Sequence, residues 1–180
     1  MSTLAVNSIE NLSGDERFGP VLTAQTTFAG LTTYTFGGIP TYVQRLYIHF
    51  RRVSTGGTAG IRVQVGDVGG ISESGYESSS VRANHSSGTS GGSSTAGFYI
   101  ATTAAVDVVS GIIIVSDMGS TDWASSHALH CEQVGVAMVN ICGGGAMSGG
   151  PASGALTQIR INTANGTDTL DSGVVSISYE

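Results

Sequence analysis

Apolar side chains in this sequence recur with a period of two. Leu46, Ile48 and Phe50 alternate with Arg45, Tyr47, His49 and Arg51. Ile61, Val63 and Val65 alternate with Arg62 and Gln64, and Val175, Ile177 and Tyr179 with Ser176 and Ser178. Successive side chains of a strand point to opposite faces, so this pattern marks strands with one face on a core. Further runs at 97–101, 112–115, 134–141 and 156–163 are rich in Ile, Val and aromatics and bounded by Gly or Ser. No segment sustains i, i+3, i+4 spacing over helical length. The expected fold is all-β, an antiparallel β-sandwich of jelly-roll type with about eight strands.

Composition narrows the class further. Gly, Ser and Thr supply 70 of 180 residues, yet the chain is 40% hydrophobic, enough to repay the entropy of ordering. The 27 glycines show no three-residue period, which excludes collagen. All seven cations are arginines. Without lysine there is no GK[ST] phosphate loop, no Schiff-base lysine and no S-x-x-K nucleophile. A net charge of −6 argues against nucleic acid and against an anionic membrane surface, both of which select clustered cations. No apolar run approaches the roughly 20 residues of a spanning helix. The first ten residues carry neither an n-region charge nor an h-region, so no signal peptide is expected.

Turn chemistry divides the chain. Gly37-Gly38-Ile39-Pro40 and Ser54-Thr55-Gly56-Gly57 bracket the Arg45 strand. Asn165-Gly166 signals a hairpin between 159–163 and the last strand, lengthened by 167–173. Segments 78–95 (SSSVRANHSSGTSGGSST) and 143–154 (GGGAMSGGPASG) are low in complexity and are expected to be exposed loops. Such loops offer adaptable hydrogen bonds at low charge, and Tyr76, Arg82, Asn84, His85 and Met147 are their candidate binding residues. Residues 1–20 read as an extended arm, with Leu4, Val6, Ile9 and Leu12 spaced for a neighbouring surface, and residues 21–180 as the β-sandwich domain.

No catalytic or metal set emerges. His127, His130, Cys131 and Cys142 offer four nominal zinc ligands at an unusual spacing, and the cysteines serve equally as small buried hydrophobes. Two cysteines do not make a disulfide scaffold, and whether they pair is left open. The glycine runs 143–145 and 149–150 lack the helix a phosphate cradle must open. Asp67, Asp168 and Asp171 offer oxygens for calcium but sit in ordinary turn sequence. No G-x-S-x-G elbow is present, and sequons at Asn11, Asn84 and Asn165 mean little without secretion. A triad, or paired carboxylates brought together by the fold, stays open, but the expectation is a non-enzyme without cofactor. Arg45, Arg51, Arg62 and Arg160 lie opposite the core stripes, either as a solvated face or as subunit contacts suited to bidentate pairing.

A set of motifs carries a resemblance. It runs from Phe36-Gly37-Gly38-Ile39-Pro40-Thr41-Tyr42-Val43-Gln44-Arg45-Leu46-Tyr47-Ile48 through Val53-Ser54-Thr55-Gly56-Gly57-Thr58 and Val63-Gln64-Val65-Gly66-Asp67. Gly69-Gly70-Ile71, Ser74-Gly75-Tyr76, Thr95-Ala96-Gly97-Phe98, Ser110-Gly111 and Trp123 follow. It closes with Ile159-Arg160-Ile161-Asn162-Thr163 and Asn165 to Gly173. Together these resemble a module at the distal ends of tail-fibre-like virion proteins of tailed bacteriophages, common in phages of cyanobacteria and other aquatic bacteria. Leu170 departs from the pattern, where an aromatic is expected. The resemblance covers about 36–180. It implies a non-enzymatic structural module, a homotrimer on the virion exterior made in the host cytoplasm. Only residues 1–35 precede the module, so no shaft is expected. A short arm on a compact knob suits a capsid decoration or cement protein bound to the major capsid protein. The alternative is a tail-fibre head or tail adaptor, contacting a tail protein and binding a host surface glycan or protein.

Overall fold

The computed structural model describes residues 21–22, 25–84, 88–133, 138–151 and 154–180. The arm residues Leu4, Val6, Ile9 and Leu12, and His85, lie outside them. The described residues contain no helix and fourteen strands. These are β1 (Val21–Leu22), β2 (Thr26–Thr27), β3 (Thr33–Phe36), β4 (Arg45–Thr55), β5 (Ile61–Asp67), β6 (Gly70–Ile71) and β7 (Tyr76–Asn84). Then follow β8 (Gly88–Ser94), β9 (Phe98–Ile100), β10 (Asp107–Asp117), β11 (Trp123–Gln133), β12 (Val139–Met147), β13 (Gln158–Thr163) and β14 (Leu170–Tyr179). The expected eight falls short partly because β1, β2, β6 and β9 are only two or three residues long.

All pairings are antiparallel, in two sheets. The broad one runs β1-β14-β4-β10-β11-β12-β7-β8, with β2 also on β14; the smaller runs β3-β13-β5-β6, with β9 also on β5. One buried cluster joins them. Leu46, Ile48, Ile113 and Val115 come from the broad sheet, and Ile61, Val63, Ile159 and Ile161 from the small one. The period-two runs therefore face the core as the sequence predicts, and full burial of each such side chain contributes about 1.5–3 kcal/mol.

Three sequence expectations are overturned. Segment 78–95 is not a loop: Tyr76–Asn84 and Gly88–Ser94 form the β7–β8 hairpin, paired from Ser78↔Ser94 to Asn84↔Gly88. The first five residues of the second low-complexity stretch are strand too, because β12 continues through Gly143-Gly144-Gly145 to Met147 between β11 and β7. Serine and glycine read as loop by composition, yet here they alternate across a pleat. Lastly, Asn165-Gly166 is a turn but not a hairpin. Asn165 Oδ1 accepts the Thr167 and Asp168 amides (3.1 and 3.0 Å), and the chain then crosses from the small sheet at β13 to the broad one at β14.

A bulge interrupts β4. Val53 pairs with Val109 but Phe50 with Gly111, so Arg51 and Arg52 together oppose Ser110. Arg52 takes φ 54° there, and its amide is donated to Ser110 Oγ (3.0 Å). Gly173 on β14 lies against this kink at φ 102°, where an added Cβ would meet Val53 Cα at 2.5 Å.

Gly145 is likewise fixed by contact: a Cβ there would stand 2.5 Å from Glu77 O and 2.7 Å from Ser78 Cβ. Gly145→Ala is accordingly expected to lower stability by about 1–3 kcal/mol in urea denaturation. Gly37→Ala, at a position with nothing within 4 Å, serves as the control and should leave the midpoint within about 0.5 kcal/mol.

Candidate functional site

The residues expected to line binding loops are mostly interior. Tyr76 is 1% exposed, stands edge-on to Phe98 (5.1 Å between centroids), accepts the Val65 amide (2.8 Å) and donates to Ser72 O (3.1 Å). Burial pushes its phenol up to about 12. Met147 sits between Tyr76 and Trp123 in one buried row across β7, β12 and β11. Arg82 also faces inward. Its Nη2 donates to Asp107 Oδ1 (3.0 Å) and Gln133 Oε1 (3.2 Å), and its Nη1 to Thr103 Oγ1. Asp107 is wholly buried and accepts the Thr103 and Ala104 amides as well. Asn84 is half-buried at the end of β7. Each was assigned to a loop by its neighbours in sequence, whereas strand alternation sets which way it points.

Metal sites fare similarly. On β11, His127 and Cys131 face the core while His130 faces out. Cys142 pairs opposite Ala128 on that outer face and is exposed. The pleat thus splits the four nominal ligands between two sides of the sheet. Asp168 accepts the Ala59 amide (3.0 Å) just before β5, and Asp67 ends that strand, accepting the Gly69 amide (2.7 Å). Roughly 20 Å of strand separates them. Among the described residues no group of three or more His, Cys, Asp or Glu is placed to hold a metal ion.

A polar lane runs inside the broad sheet. Ser78 Oγ accepts the Tyr99 amide (2.9 Å) and donates to Gly144 O (3.1 Å). Ser80 Oγ accepts the Ala101 amide (3.2 Å), lies 3.4 Å from Cys142 O and 3.0 Å from His127 Nε2. With its proton on Nε2, His127 donates to Ser80 and leaves the hydroxyl free to donate to Cys142 O. His127 Nδ1 has no protein partner, and burial lowers the imidazole pKa to about 4. Burial likewise raises the Cys131 thiol to about 11, so it stays protonated and unreactive.

The outer face of the small sheet holds the second polar constellation, which sequence reasoning saw only as scattered arginines. Thr33, Arg62, Gln64, Glu73, Arg160 and Asn162 line an open cleft of about 360 Å³. Gln64, almost fully buried, donates Nε2 to Ala96 O (2.6 Å), which turns Oε1 toward Arg160 Nε (2.8 Å) and Asn162 Nδ2 (3.1 Å). Asn162 Oδ1 is then left buried without a protein partner. Arg160 also donates to Glu73 Oε1 (2.5 Å), and Arg62 to Thr163 O (3.1 Å), while Arg62 Nε has no protein partner. Burial, then the like charge of Arg160, lower the Arg62 pKa. The usable signal was the run Arg62-x-Gln64 against Arg160-x-Asn162, two polar pairs at strand spacing. Arg45 and Arg51, by contrast, are exposed on the broad sheet, Arg45 pairing with Glu180 (2.8 Å).

Compared with protein-family models, curated proteins and solved structures, the chain matches none.

Two outcomes follow from the buried lane. Arg82→Leu strands Asp107 as an unpaired buried carboxylate and is expected to cost about 3–5 kcal/mol in chemical denaturation. For His127, the unfolded imidazole binds a proton near pH 6.5 but the folded one only near 4. Stability is therefore complete above about pH 6.5 and falls as pH drops toward 4, by roughly 3 kcal/mol across that window. His127→Gln retains a donor at the Nε2 position without titrating, so urea midpoints measured at pH 7 and 4.5 should differ less than in the parent.

Proposed function

We propose that this chain is a non-enzymatic structural protein on the exterior of a tailed-bacteriophage virion, a homotrimeric capsid decoration protein. In this reading the two sheets form a sandwich of jelly-roll type, and residues 1–20 are an arm lying on the major capsid protein. The observation that carries it is the outer face of the broad sheet. Ile112, Ile114, Ser126, Ala128, Cys142 and Ala146 make its centre, which is uncharged and built from small or apolar side chains. Arg45, Arg51, Glu77 and Glu132 stand at its margins. An uncharged centre with a charged rim is the anatomy of a subunit interface, and the exposed Arg51 stands free at that rim to pair with a neighbour.

Packing between the motifs that carry the phage resemblance also supports it. Gly56 donates its amide to Thr169 O (2.9 Å) and Ala59 donates to Asp168, joining the Val53–Thr58 motif to the Asn165–Gly173 motif. A Cβ on Gly56 would meet Thr169 Oγ1 at 2.6 Å. These residues are thus one coupled unit rather than independent short matches.

A second reading, a tail-fibre head or adaptor that binds a host glycan or protein, is favoured by the β7–β8 hairpin. Its edge strand β8 exposes Thr89, Ser90 and Ser93, short polar groups suited to adaptable contacts.

Light scattering on the purified chain is expected to give a trimer mass, and Ile112→Arg, in the centre of the face, to give a folded monomer. A monomeric parent sinks the trimer. Quantitative mass spectrometry of purified particles against the major capsid protein then separates the readings. On the order of a hundred copies or more means decoration, and a few tens or fewer means the tail.

A further inference from the structure

Most charges at the outward positions of β4, β10, β11, β12 and β7 are already paired. Arg52 meets Glu132 of β11 (3.0 Å), and Arg45 meets Glu180, just past β14 (2.8 Å). Two groups of opposite sign are left over. Arg51 and Glu77 are both exposed, and neither side chain makes a hydrogen bond or ion pair to a described residue. The register explains why they do not meet each other. Glu77 lies level with Arg45, through Ala146, Ala124 and Ser116 of the intervening strands. It is therefore four strand spacings from β4, about 19 Å, and Arg51 stands six residues further along, about 20 Å more. The uncharged centre lies between these two corners, with Ile112, Ala128 and Cys142 in one cross-strand row and Ile114, Ser126 and Gly144 in the next.

We infer that Arg51 of one copy pairs with Glu77 of the next across this surface, an inference that rests on the outer face being the subunit interface proposed above. A foreign partner would have to bring both signs at that same diagonal spacing, and a second copy brings them by construction. The contact runs head to tail. Each copy gives its Arg51 corner to one neighbour and its Glu77 corner to the other, so a closed ring of three leaves no charge of the face unpaired. The bulge in β4 makes this possible. Two residues there oppose one on β10, and both arginines are exposed, so Arg52 holds Glu132 while Arg51 stays free. The guanidinium offers two parallel N–H groups to the carboxylate, which fixes orientation as well as sign. At a rim such a pair selects partner and register, while the uncharged centre supplies the buried area.

Sedimentation velocity of the full chain over a concentration series tests this with Arg51→Glu, Glu77→Arg and the double variant. Each single reversal sets like charges against each other at every contact and is expected to raise the concentration of half-dissociation at least tenfold. The double reversal restores opposite signs and should return to within about threefold of the parent, a recovery that damage to folding cannot imitate. Salt at about 1 M, where screening acts over about 3 Å, should bring the single variants toward the parent. Single reversals that dissociate no sooner than the parent, while Ile112→Arg still gives monomers, overturn the pairing and leave the interface standing. A double variant no better than the weaker single overturns it as well. A parent that is monomeric throughout the series removes the interface and the pairing together.

Discussion

Serine hydroxyls standing in for a missing strand tie β9 of the small sheet to the broad one. β9 pairs with β5 along one edge only; its other edge, the Tyr99 and Ala101 amides, faces the broad sheet. A buried amide without an acceptor is costly, and no backbone of β7 offers one in that direction. Ser78 and Ser80 supply it instead, reaching from one sheet to the edge of the other. The geometry tolerates little bulk. Gly143 and Gly145 lie next to these serines on β12, and the Tyr99 ring covers Gly60 and Gly92 closely enough that a Cβ on Gly92 would meet it at 2.7 Å. The serine-rich and glycine-rich stretches are thus the two sides of one contact.

That contact explains which parts of the fold were legible in the sequence. The stripes Leu46-Ile48-Phe50, Ile61-Val63-Val65 and Val175-Ile177 announce themselves because their alternation is between apolar and polar, and each faces the core as expected. Segment 78–95 alternates too, but between serines that bond the other sheet and serines that face water. A one-letter pattern does not distinguish these, so the segment reads as a loop. Arg82 is the sharpest instance. Its partner Asp107 lies 25 residues away, and only the fold reveals that its charge is compensated rather than solvated.

The cleft was half legible. Arg62 and Arg160 were recognised as lying opposite the core stripe, and they do. Their meeting in one cleft depends on β5 and β13 being neighbours in register, Gln64 opposite Arg160 and Arg62 opposite Asn162, which is a long-range fact. At two positions arginine has a physical reason over lysine. Arg82 and Arg160 each divide their guanidinium donors among separate acceptors at fixed angles, a task for a planar fork rather than for a compact ammonium.

The bulge in β4 bears on which length changes the chain can accept. Elsewhere in a strand, losing one residue moves every following side chain to the opposite face and turns the core stripe toward water. At Arg52 the ladder already holds one residue too many relative to β10, and it is out of step by the same amount relative to Ser172–Val174 of β14. Removing that residue brings the ladder with β10 into line while Phe50 and Val53 keep their inward faces, and leaves β14 with its own offset between Leu170 and Ser172. The middle of β4, between two paired neighbours, is thus the one stretch of this strand where losing a residue leaves the core stripe facing inward.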